Sequence, residues 1–269
     1  MNLLSTSKKN CKSKKHLEIE QFCDIIMRHR FDVAKERGHF MMRRTSIIYK
    51  VLTTLALFTG ITLNFFNTSS AISLASYYTL QSNILCLIAF VCYTVMEIRD
   101  KEVSYRTNGD VYFLLKGAII MGIFITFVSY HIALAPFGFN MESLHRHTAI
   151  KKVANFFVHT CSPLMVMMDY FLFDVKGRFK KYYPFLWLVF PLNYVGYVYY
   201  YSSHGGNFFG IGGSKEFAYF FLDYHEIGVV GVMKWLVFMA LCVLAVGYLL
   251  VYVDKKLGKK SKNWKGGDR

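Results

Sequence analysis

The chain has 269 residues, of which 54% are hydrophobic and 18% charged, and a formal net charge of +15. A soluble domain of this length interleaves its charges with its apolar residues; here they are cleared out of block after block, which excludes an ordinary water-soluble fold. The excess positive charge flanks the apolar blocks in a way that membrane topology accounts for, so nucleic acid is not an expected partner.

Residues 1–45 are polar and basic, with no early apolar core before a small-residue site, so no cleavable signal peptide is expected. Within them, Ile19, Phe22, Cys23, Ile26 and Met27 recur at helical spacing. That pattern fits an amphipathic helix on a membrane surface or a plain cytoplasmic helix. Six apolar stretches follow, at 46–66, 76–96, 111–134, 152–173, 182–202 and 229–253. Roughly 20 apolar residues of helix cross a hydrocarbon core of about 30 Å. Lipid offers the backbone no partners, so each stretch is expected to be helical. None alternates in polarity as a barrel strand would.

The expected fold is therefore all-α: six transmembrane helices in one bundle over residues 46–253. A basic tail (1–45) would precede it and a Lys-rich, disordered tail (254–269) would follow. The connection at 67–75 is short and uncharged. The longest, at 203–228, contains SSHGGNFFGIGG and reads as a turn-rich cap without phosphate-loop spacing.

Of the 32 Lys and Arg residues, 11 lie in residues 1–45, 3 in 99–106, 4 in 176–181 and 7 after Val253. These share one side of a six-span arrangement, so the positive-inside bias places both termini in the cytoplasm of a cell-membrane protein. The bilayer is its expected partner, and basic tails are drawn to anionic headgroups. The six cysteines form no CxxC pair and four lie inside spans, which implies neither a disulfide framework nor zinc.

Polar residues inside spans are costly unless they face a partner or water, which makes them functional candidates. In YYTLQSN, Thr79, Gln81, Ser82 and Asn83 crowd the outer end of the second span. NFFVHT sets Asn155 and His159 four apart at the outer end of the fourth, on one expected face. His131, in SYHIALAP, lies near the outer end of the third. At 1.5 Å per residue, Thr79, His131 and His159 come to depths agreeing within about 5–8 Å.

A hydroxyl near an imidazole in a lipid-accessible pocket points to acyl chemistry, Thr79 attacking an ester carbonyl while His159 takes its proton. Gln81, Asn83 or Asn155 could donate to the oxyanion, and Ser82 is the rival nucleophile. Asp169 lies about 15 Å along the helix from His159, too far to orient it, and is expected to anchor packing or pair with basic residues. The same Ser, Thr, Asn and Gln side chains equally suit hydrogen bonding between helices in a transporter or scaffold. Asp223, His225 and Glu226 match no metal-ligand spacing, and neither metal nor cofactor is expected.

YYTLQSN, NFFVHTCSPLMVMMDYFLFD and AYFFLDYHEIG together resemble a bacterial six-helix integral-membrane family with YFTxQSN and HxxxPxLxxxDWLLF motifs. That family is distantly similar to the animal androgen-induced protein and androgen-dependent TFPI-regulating protein. Those are threonine hydrolases that cleave fatty acid esters of hydroxy fatty acids. The resemblance implies Thr79 as nucleophile and His159 as its base, with a lipid or fatty-acyl ester as substrate. Tyr170 stands where the bacterial motif has Trp, and Phe220 where the animal proteins have Pro.

Overall fold

The computed structural model describes residues 41–99, 109–134, 148–208 and 216–266. The chain divides into two compact units, Met1–Ser46 and Ile47–Arg269, and the bundle belongs to the second. The amphipathic helix expected at residues 17–27 lies outside the described residues.

All regular structure among the described residues is helical. Helix α1 is Met41–Asn67. A short α2 (Ala71–Ala75), capped by the Ser70 hydroxyl, leads into α3 (Tyr78–Arg99). Helix α4 (Asp110–Val128) widens into a π turn at Ser129–Leu134. Helix α5 (Thr148–Phe156), a second π turn (Phe157–Cys161) and α6 (Ser162–Phe173) follow without a break. Then come α7 (Tyr183–Trp187), α8 (Val189–Ser203), a 3-10 turn at Phe220–Leu222, and α9 (Tyr224–Gly266), which bends at Gly228 with φ 70°.

Five of these helical stretches are long and apolar enough to cross a membrane: Met41–Asn67, Tyr78–Arg99, Asp110–Ile132, Ala149–Phe173 and Tyr224–Lys259. Their outer faces carry exposed large apolar side chains, such as Leu52, Leu55 and Phe58 on α1 and Val230, Met233 and Val237 on α9. Apolar belts of that extent belong in lipid. The chain is built as a multi-pass α-helical membrane protein.

Two expectations need correction. The stretch at 182–202 is not one helix but α7 and α8, interrupted at Leu188. Pro191 explains the interruption: it has no N–H for the Trp187 carbonyl, and its ring crowds that carbonyl. Leu188 keeps helical angles (φ −66°, ψ −22°), so the direction of the chain is preserved. The tail after Asp254 is not disordered throughout; α9 continues through it to Gly266. The buried Asp254 carboxylate anchors the start of this stretch. It accepts hydrogen bonds from the Tyr170 hydroxyl, from Gly177 N at 2.6 Å and from Phe179 N at 2.9 Å, which pins α9 to the 174–179 connection.

Three apolar clusters stack along the bundle. Tyr77, Tyr78, Tyr194, Val198, Phe208 and Phe217 fill the end that carries Thr79. Leu57, Cys86, Phe90, Ile123 and Val166 fill the middle. Phe113, Tyr170, Phe179, Tyr183 and Trp187 fill the end that carries Asp169. Helix α4 touches α3, α6, α7, α8 and α9 and acts as the central post. Glycine permits its closest approach: a Cβ at Gly117 would overlap the Trp187 indole, whose Nε1 donates to the Leu114 carbonyl at 3.0 Å.

Candidate active site

The geometry at the Thr79 end begins with a proline. In the π turn Phe157–Cys161, Ser162 N–H reaches back five residues to the Phe157 carbonyl. The next donor in that register is residue 163, a proline without an N–H, so the Val158 carbonyl loses its backbone partner. Asn83 supplies one from α3. Its Nδ2 lies 3.1 Å from the Val158 carbonyl and 2.8 Å from the Thr79 carbonyl. One buried amide thus staples the first turns of α3 to the turn that carries His159.

Thr79 is 8% exposed, and none of the described residues hydrogen-bonds its hydroxyl. It lines a cavity of about 440 Å³ bounded by α3, α4 and its extension, Leu188, α8, α9 and the Tyr219–Leu222 segment. The walls are aliphatic and aromatic apart from a few hydroxyls, among them Thr126, Ser129, Tyr194 and Tyr219. Ser82 is differently placed. Its hydroxyl lies 3.0 Å from the Thr79 carbonyl and 2.7 Å from the Thr126 hydroxyl. Of the two candidate nucleophiles, Thr79 lines the cavity and is the one whose hydroxyl has no hydrogen bond among the described residues.

His159 is buried, and its Nδ1 has no partner among the described residues. Its ring stacks on Tyr130 at 3.9 Å between centroids and 11° between planes, which fixes the plane of the imidazole. No hydrogen bond joins His159 to Thr79 among the described residues. His131 is exposed and bonds the Thr160 hydroxyl through Nε2 at 3.0 Å. Two helices therefore converge on the π turn: α3 through Asn83, and the α4 extension through Tyr130 and His131.

The other expected groups are less engaged. Gln81 and Asn155 are half-buried and make no side-chain hydrogen bond among the described residues. Asn155 lies in α5, just before the π turn that carries His159. Asn83 has both amide protons on carbonyls and none left for an oxyanion. Asp223 caps α9, its Oδ1 accepting from His225 N at 2.9 Å, and no metal-binding cluster occurs among the described residues.

The opposite end holds a buried ion network that the sequence reading did not assemble. Lys50 of α1 lies 3.2 Å from Glu97 and 3.1 Å from Asp169. Lys116 of α4 pairs with Asp169 and lies 3.2 Å from Asp174. The Tyr112 hydroxyl donates to Asp174 at 2.8 Å, and Lys116 sits over the Tyr93 ring at 4.5 Å. Lysines at 50 and 116, interrupting otherwise apolar spans, were the signal available for it. Beyond the span, Lys176 donates to the Tyr170 and Asp174 carbonyls at 2.6 and 2.5 Å, and burial holds its ammonium below the usual lysine range.

No protein-family model, curated protein or solved structure matches this chain.

Proposed function

We propose that the protein is an intramembrane hydrolase of lipid or fatty-acyl esters, with Thr79 as nucleophile and His159 as general base and acid. One observation carries the reading: Thr79, whose hydroxyl has no partner among the described residues, lines an apolar cavity, while its own turn is stapled through Asn83 to the turn bearing a buried imidazole whose Nδ1 has no partner among them. The ester carbonyl reaches Thr79 from the cavity. Oγ1 bonds to the carbonyl carbon as its proton passes to the imidazole. The C–O bond to the alcohol then breaks, and the alcohol departs with that proton. Water activated by the same imidazole attacks the acyl-threonine, releases the acid and restores the hydroxyl. The motifs that resemble the six-helix family support the same two roles.

In this proposal α7 and α8 together form a sixth crossing, residues 183–203 running between the two ends of the bundle. Both termini and the Lys-rich connections then share the cytoplasmic face of the cell membrane, and Thr79 lies beneath the opposite one.

A non-enzymatic bundle is the second reading. It is favoured by the Ser82–Thr126 and His131–Thr160 bonds, which join helices without need of a substrate. A fluorophosphonate probe on detergent-purified protein separates the two. Labelling of the wild type, lost in both Thr79→Ala and His159→Ala, is the enzyme's result; labelling that survives Thr79→Ala retires it.

A further inference from the structure

Three buried polar atoms near the Asn83–Val158 contact have no partner among the described residues: Asn83 Oδ1, His159 Nδ1 and Ser162 Oγ. Asn83 and Ser162 are fully buried and His159 is 7% exposed, so bulk water does not satisfy them. All three residues lie at that contact or within one turn of it. Asn83 touches the carbonyl of Val158, His159 is the next residue, and Ser162 follows one turn later. Leaving a buried polar group unmade costs about 1–3 kcal/mol, and buried waters typically satisfy about three such groups at once.

The orientation of the Asn83 amide is not arbitrary, because both neighbours of its nitrogen are carbonyls and only N–H can serve them. Oδ1 is therefore the free atom, and it can only accept. Tyr130 already fixes the ring plane of His159, leaving its tautomer as the undetermined feature. A base that takes a proton from Thr79 through one nitrogen must carry its own proton on the other.

We infer that Asn83 is a positioning residue for His159: with the Ser162 hydroxyl and one bridging water, its side-chain oxygen holds the Nδ1 edge so that Nδ1 carries the proton and Nε2 is the free base. The water donates to Asn83 Oδ1 and Ser162 Oγ and accepts from Nδ1–H. The role of this arrangement rests on the hydrolase reading, but its test does not.

Nitrogen NMR of protein labelled with ¹⁵N-histidine reads the tautomer directly, with the His159 resonances assigned by their loss in His159→Gln. The wild type is expected to show a protonated Nδ1 and an unprotonated Nε2 at neutral pH. Folded Asn83→Leu, or Ser162→Ala if that variant does not fold, is expected to redistribute His159 between tautomers. In the same variant the rate of fluorophosphonate labelling at Thr79 is expected to fall by about 10²-fold, the scale of a mispositioned general base. A wild-type His159 protonated on Nε2, or a spectrum indifferent to the folded variant, overturns the inference. The expected tautomer in a protein that never labels at Thr79 retires the hydrolase and leaves the positioning role standing; labelling with the opposite tautomer does the reverse.

Discussion

At the level of single residues, the difference between Thr79 and Ser82 is one of engagement rather than chemistry. Both are hydroxyls one turn apart on α3, yet Ser82 is held by Thr126, whereas the Thr79 hydroxyl has no partner among the described residues and its residue lines the cavity. Ser82→Ala is therefore expected to keep probe labelling and to lower stability by about 1 kcal/mol, the usual worth of one such bond; thermal unfolding in detergent measures it. The buried lysines are different in kind. Lys116 is the cation between Asp169 and Asp174, so Lys116→Met takes the paired cation from the buried Asp174 and leaves Asp169 with Lys50 alone, and it is expected to cost about 3–5 kcal/mol. Lys180→Met, which breaks the exposed pair with Asp110, is expected to leave the melting temperature unchanged.

The elements are joined by small residues and punctuated by proline. Gly117 admits the Trp187 indole against α4, and Gly60 brings α1 against Phe157, where a Cβ would lie 2.8 Å from the Phe157 Cβ. Gly117→Ala is expected to force Trp187 from its contact with Leu114 and to destabilise the protein by about 1–3 kcal/mol, read from the same unfolding curves and a change in tryptophan emission. Pro163 and Pro191 act on the backbone instead. The first helps to leave the Val158 carbonyl open to Asn83, and the second separates α7 from α8. Both prolines were visible in the sequence. Their consequences were not, because a missing N–H has effects set by what packs beside the exposed carbonyl.

Across the whole molecule, the two ends divide the work. The Thr79 end combines an apolar cavity with a few unpartnered polar atoms, whereas the Asp169 end is closed by paired charges and by the Asp254 carboxylate. Lys50 near the start of α1 and Asp254 late in α9 both belong to the Asp169 end. Epitope tags on the two termini are accordingly expected to be reached from the same side of sealed, oriented vesicles. Tags accessible from opposite sides would mean that α7 and α8 do not complete a crossing.

The sequence by itself determined the material of this protein: long apolar blocks can satisfy their backbones in lipid only as helices, so its all-α membrane character was legible from composition and spacing. The polar residues near the start of α3 and around His159 were legible too, since hydrocarbon makes such groups conspicuous. Only the tertiary structure decided which of them met. Asn83 reached a carbonyl 75 positions away, Tyr130 stacked on His159, and Lys116 came to lie between Asp169 and Asp174. Periodicity gives the face of a helix, but pairing across helices depends on rotation, depth and local breaks in register, which are settled by packing the whole bundle at once.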